Sequence, residues 1–73
     1  MKTRIRDLRE DNDLTQSEIA QYLMCDQSLY SKYERGERTI PLEIVVKLAK
    51  FYKTSVDYIV YLTDDPKVKS PQQ

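Results

Sequence analysis

The sequence predicts an all-α domain of five short helices, and three observations predict it. Apolar residues recur at three- and four-residue spacings instead of alternating. Helix-start signals recur along the chain, at "TQSE", Asp26, Pro41 and Ser55. The only glycine, Gly36, stands where a helix opened by Asp26 would have to close. No stretch reads as a strand, a repeat or a second domain, so residues 1–65 are expected to form one domain and 66–73 a polar C-terminal tail.

The first helix is expected from Thr3 to about Asp11, where Ile5 and Leu8 sit three apart among Arg4, Arg6, Arg9 and Glu10. "DND" then breaks it, because Asn12 and Asp13 tolerate turn and left-handed conformations. In "TQSE" the Thr15 hydroxyl can accept from the Glu18 amide while the Glu18 carboxylate accepts from the Thr15 amide. That capping box opens a second helix, to about Leu23, which buries Ile19, Ala20 and Leu23. Asp26 caps a third helix, and Gly36 closes it in the left-handed conformation that glycine adopts without steric cost. Pro41 is expected at the first position of a fourth helix, to about Tyr52. Its core stripe is Leu42, Val45, Leu48, Ala49 and Tyr52, with Ile44 and Phe51 to the side. Ser55 caps a fifth, with Asp57 in its first turn against the positive helix end, and "TDDPKVKSPQQ" stops it.

A chain of 73 residues suits one small domain, and such a domain buries only roughly 60% of the surface its unfolded chain exposes. A large enclosed active site is therefore not expected. Charged residues make up 33% and hydrophobic ones 40%, as in folded soluble domains. The 12 Lys and Arg offset the 12 Asp and Glu, so support for a nucleic-acid partner has to come from how charge is distributed. One cysteine cannot form an internal disulfide, and nothing resembles a signal peptide or a membrane span; a reduced cytoplasmic setting is expected. The chain has no histidine, no nucleophile beside a base, no glycine-rich phosphate loop and no cluster of metal ligands. Enzymatic activity, a metal and a cofactor are accordingly not expected.

The third helix carries the sharpest functional pattern. At about 100° per residue, with Gln27 at zero, Ser31, Arg35, Ser28 and Lys32 fall within the next ~140°, while Leu29, Tyr33 and Tyr30 occupy roughly 200° to 300°. The second arc is the buried side. The first holds amides, hydroxyls and cations with no acid in its middle, whereas a solvated face usually mixes both signs, as residues 6–10 do. The pattern favours a polar, anionic partner, with a plain solvated face as the alternative.

"LTQSEIAQYL", "MCDQSLYSKYERGER" and "IPLEIVVKLAKFY" together resemble the helix-turn-helix family of phage repressors and Cro proteins, the XRE-type transcriptional regulators. Thr15, Gln16, Ala20, Leu23, Ser31, Tyr33, Glu34, Gly36, Pro41, Leu48 and Ala49 fall in register with that pattern, which spans about residue 3 to Pro66. The resemblance implies a compact five-helix lambda-repressor-like DNA-binding domain and a transcriptional regulator, a repressor, reading a palindromic double-stranded DNA operator as a homodimer. Two departures stand out. Met24 and Asp13 occupy positions where glycine is common in the family, and Asp26 replaces a frequent Ser or Thr at a cap where its charge would repel phosphate. If Met24 takes the glycine's place in space, its φ is positive, at a cost on the order of 1 kcal/mol.

The resemblance also implies roles. The recognition helix enters the major groove with its N-terminal residues against base edges. Gln27 and Lys32 suit adenine and guanine edges, Ser28 suits either, and Ser31 faces a base or a phosphate. Leu29 suits the core better than a thymine methyl. Phosphate contacts are expected from Arg6, Arg9, Thr15, Gln16, Arg35, Arg38 and Thr39, with Arg4 a further candidate, several of these being solvated in the bland reading. Glu34 is expected to pair with Arg9, and Cys25 to be a buried, inert thiol. Tyr30, Tyr33 and Tyr52 fall on apolar faces and read as packing. Apolar residues surround the fifth helix, so Tyr58, Tyr61 and Leu62 are expected at a two-fold dimer contact unless the tail covers them. The alternative function is a protein-binding module or an antitoxin-type partner on the same fold, which a net charge of zero allows.

Overall fold

A computed structural model of the protein describes residues 2–66. Its elements in chain order are α1 (Ile5–Asp11), α2 (Gln16–Leu23), α3 (Gln27–Arg35), α4 (Leu42–Phe51) and α5 (Val56–Ile59). No strand occurs among the described residues, and the tail, whose folding back over α5 is the alternative to a dimer contact, lies beyond Pro66, outside them.

The caps are those the sequence spells. The Glu18 amide donates to Thr15 Oγ1 at 3.1 Å and the Thr15 amide to Glu18 Oε1 at 2.8 Å, completing the capping box of α2. Asp26 accepts from the Ser28 amide at 2.9 Å and Ser55 from the Tyr58 amide at 3.0 Å, opening α3 and α5. Pro41 stands one place earlier than expected: it is the N-cap of α4, extended at φ −65° and ψ 147°. Leu42 consequently begins the helix beyond the edge of the core and is 70% exposed, which corrects its assignment to the core stripe. Ile40 is buried in its stead, and with buried Val45 it holds the two positions of a hydrophobic staple around the cap.

All five helices end the same way. After each, one residue turns left-handed and donates back to the carbonyl three residues earlier, and the next residue donates five back, the Schellman closure. In α3 these bonds run from Gly36 to Tyr33 O at 3.2 Å and from Glu37 to Lys32 O at 2.9 Å. In α2 they run from Met24 to Gln21 O at 3.1 Å and from Cys25 to Ala20 O at 3.0 Å, with Met24 at φ 59° as expected. Asp13, Lys53 and Tyr61 serve α1, α4 and α5, so only α3 uses glycine. Because Tyr61 and Leu62 are spent on this closure, α5 stops at Ile59 and is shorter than its apolar run suggests.

Ile5, Ile19, Tyr30, Val45, Leu48 and Ile59, one or two from each helix, are fully buried and form a single core. Beside it lies a polar centre. Glu34 on α3, its side chain 3% exposed, accepts from Arg9 of α1 through Nε at 2.6 Å and a terminal nitrogen at 3.2 Å. It also accepts from Gln16 Nε2 of α2 at 3.0 Å. The other terminal nitrogen of Arg9 donates to Leu14 O at 2.8 Å, which fixes the link between α1 and α2. Burial alone pushes the Glu34 carboxyl up, but the Arg9 hydrogen bond, the nearby Tyr30 hydroxyl and Gln16 together outweigh it and hold the group below its ordinary 4.5. The Tyr30 and Tyr52 hydroxyls are buried without a partner at hydrogen-bonding geometry among the described residues, so Tyr30 acts on Glu34 by proximity and not through a formed bond. Burial pushes both phenols up, Tyr52 to about 12.

Two outcomes follow from this architecture. Met24 is 88% exposed and strained only by its backbone, so Met24→Gly should raise unfolding free energy by about 1 kcal/mol in denaturant titrations, while Gly36→Ala should lower it by a similar amount. Glu34 has a depressed folded value, so its contribution is fully present above the unfolded value and is lost as pH falls through the folded one. Glu34→Gln should cost about 3 kcal/mol near neutral pH, and its stability should fall less steeply than the unsubstituted chain's on acidification below about pH 5.

Candidate nucleic-acid interface

Residues 24–26 join α2 to α3, and the Met24 closure followed at once by the Asp26 cap leaves this turn little freedom. The two helices pack directly on each other. Tyr30, Tyr33 and the Glu34 side chain turn inward from α3, so Gln27, Ser28, Ser31, Lys32 and Arg35 are left on its outward side.

Three open depressions run together along this side. The first is lined by Gln16, Asp26, Gln27, Ser28, Ser31 and Arg35. The second shares Gln16, Ser31 and Arg35 with it and adds Arg6, Arg9 and Glu34. The third shares Arg6, Glu34 and Arg35 with the second and continues to Lys2, Thr3, Asp7, Gly36 and Tyr61. Together they form one trough from the start of α3 to the start of α1, lined by the cations Lys2, Arg6, Arg9 and Arg35 and the acids Asp7, Asp26 and Glu34.

The proposed contact residues divide sharply by what already holds them. Gln27 is exposed, and its amide has no partner among the described residues; Ser28 is exposed with its hydroxyl unengaged. Lys32 is half-buried and lies close enough to Glu37 to help keep that carboxylate charged. Ser31 is half-buried, and its oxygen accepts from Arg35. Arg38 and Thr39 are exposed and make no hydrogen bond or ion pair among the described residues. Arg6 is exposed, with an i,i+4 bond to Glu10 at 3.2 Å that solvent screens.

Arg9 is different: its side chain is 13% exposed, and all three of its nitrogens are engaged by Glu34 and Leu14. It holds the fold together here, and these three bonds leave one N–H on each terminal nitrogen unused. Gln16 likewise turns its NH2 inward to Glu34, leaving the backbone amides at the start of α2 as the outward donors there. The Thr15 oxygen is occupied by the cap, though its hydroxyl hydrogen is still available.

Arg4 is placed far from the role considered for it. Its backbone amide donates to Ile59 O at 2.8 Å, and its guanidinium donates to Tyr58 O at 2.6 Å, Thr63 O at 3.2 Å and Asp64 Oδ1 at 2.7 Å. The guanidinium carbon lies 4.3 Å and 4.0 Å from the ring centroids of Tyr58 and Tyr61. Arg4 thus joins the start of α1 to the chain after α5, a role that the sequence reading missed and that no local pattern signals. Tyr58 is half-buried beneath it, whereas Tyr61 is exposed and Leu62 is 75% exposed. Tyr22 stacks on Phe51 with ring centroids 4.5 Å apart. Cys25 is half-buried; burial and then Asp26 push its thiol up, so it is protonated and unreactive at neutral pH. No helix among the described residues is long and apolar enough to cross a membrane.

Known proteins share this sequence pattern. The helix-turn-helix family pattern matches residues 5–59, from the first residue of α1 to the last of α5. The chain is 42% identical over 66 residues to the uncharacterized HTH-type transcriptional regulator YobD of Bacillus subtilis, covering 90% of this chain and 59% of that protein. It is 39% identical over 71 residues to the cryptic phage CTXphi transcriptional repressor RstR of Vibrio cholerae, covering 93% of this chain and 64% of that protein. The chain therefore spans about three fifths of the length of either relative. No solved structure matches it. With a family pattern that takes in every helix, and two relatives matched over nine tenths of its length, the chain belongs to the helix-turn-helix family.

Proposed function

We propose that this chain is a sequence-specific double-stranded DNA-binding transcriptional regulator, acting in the cytoplasm as a repressor, with α3 in the major groove. The observation that carries the reading is the unpartnered polar start of α3, Gln27 and Ser28, set on a helix whose inner side is locked by Tyr30, Tyr33 and Glu34. A side-chain amide with both of its groups free, on a helix whose inner side is fixed, is what bidentate pairing to adenine N6 and N7 needs. Arg38, Thr39 and the first amides of α2 flank it at either end and suit phosphates, which position the helix without reading sequence. The names of YobD and RstR, a transcriptional regulator and a transcriptional repressor, support the regulatory and repressing parts of the reading.

In this reading the chain binds as a homodimer through the exposed part of the Tyr58–Leu62 segment, with Leu62 as its most exposed apolar residue. A two-fold pair would set its recognition helices about 34 Å apart, on a palindrome with half-sites one helical turn from each other. A protein-binding role on the same fold is the second reading, favoured by a net charge of zero and by exposed Leu42 and Phe51.

Selection of bound duplexes from a random DNA pool tests the reading directly: a recovered palindrome supports it, and failure to enrich any duplex removes it. Gln27→Ala and Lys32→Ala should each cost about 1 to 3 kcal/mol on the selected site and relax preference at one position of each half-site. Gln27→Ala should leave the salt dependence of binding nearly unchanged, whereas Arg38→Ala should weaken all sequences alike and flatten the salt slope by roughly one per lost contact. Leu62→Glu should leave helical content intact while lowering self-association in sedimentation and affinity for the full palindrome. Loss of a protein partner with DNA affinity untouched in all of these variants would establish the second reading instead.

A further inference from the structure

Arg35 is the one residue that lines all three parts of the trough. It does not stand free there. Its Nε lies 2.7 Å from Glu37 Oε2 and a terminal nitrogen 3.3 Å from Glu37 Oε1, a two-pronged pair, and its other terminal nitrogen donates to Ser31. Glu37 is brought into reach by the closure of α3: Gly36 turns left-handed at φ 76°, and the Glu37 amide donates to Lys32 O at 2.9 Å, which folds residue 37 back toward the last turn. Arg35 and then Lys32 hold the Glu37 carboxyl below its ordinary value, so it is charged at neutral pH.

A carboxylate forked onto a guanidinium presents two anionic oxygens to the same pair of N–H groups that would grip a phosphate. We infer that Glu37 is a built-in competitor for the DNA backbone: it occupies Arg35 in the free protein, and a phosphate has to displace it. The inference rests on the DNA-binding reading and adds to it a residue that limits affinity. Because the displaced contact is the same whatever the base sequence, Glu37 lowers binding to all duplexes by one factor. The preference between a selected site and other duplexes is unchanged, while the occupancy of weakly bound sites falls by up to that factor.

The test is a double-mutant cycle on duplex binding by the full chain, using a selected site and a scrambled duplex at about 0.15 M salt, where charges farther apart than about 8 Å are largely screened. Glu37→Gln should tighten both duplexes by the same factor, about two- to fivefold per bound chain, the range that an exposed ion pair allows. In the Arg35→Ala background, Glu37→Gln should give no gain. A gain that persists without Arg35 would overturn the inference in favour of simple repulsion between Glu37 and DNA. Unchanged or weaker binding by Glu37→Gln would overturn it in favour of a carboxylate that is inert or that aims Arg35 at the phosphate. Binding of neither duplex by the unsubstituted chain would reject the DNA-binding reading itself, an outcome distinct from the other two.

Discussion

One carboxylate ties three helices together. Glu34 sits on the inner side of α3 and accepts from Arg9 on α1 and Gln16 on α2, while Arg9 also holds the carbonyl of Leu14 between them. The aim of α3 therefore depends on an ion pair that is almost wholly out of water. A buried pair of this kind offers little net stability over an apolar replacement, but removing one partner leaves a charge stranded. The apolar core packs the helices together, and Glu34 ties α1 and α2 to one place on α3.

That division of labour sorts the polar residues of the trough. Arg9 and Gln16 have been drawn inward and serve geometry, and Arg4 serves the far end of the fold. Gln27, Ser28, Arg38 and Thr39 carry no structural duty and are left available for a ligand. Arg35 lies between the two groups, engaged by exposed Glu37 and half-buried Ser31.

What was legible in the sequence was local. The Thr15–Glu18 box, the Asp26 and Ser55 caps and the Gly36 closure involve residues two to five apart, and each has the geometry its spelling implies. The left-handed turn at Met24 was legible only through the family's glycine, since nothing about methionine itself favours it. Leu42 misled because a three-residue spacing to Val45 shows which face it shares but not whether the core reaches that far along α4. The inward turn of Gln16 was not legible at all, because its partner lies 18 residues away and a first-turn glutamine reads equally well as solvated. The same holds for Arg4, whose side-chain partners lie 54 to 60 residues along the chain.

The Arg4 joint has a bearing on how the molecule opens. A helix of four residues such as α5 has no independent stability in water, and its neighbours must hold it. Arg4 supplies much of that hold from the opposite end of the sequence, by backbone and side chain together, with Thr54 Oγ1 bonding Pro66 O at 2.6 Å just beyond. The first turn of α1 cannot lift away without breaking bonds that hold the end of α5, so the two segments are expected to open together and to lose amide protection together.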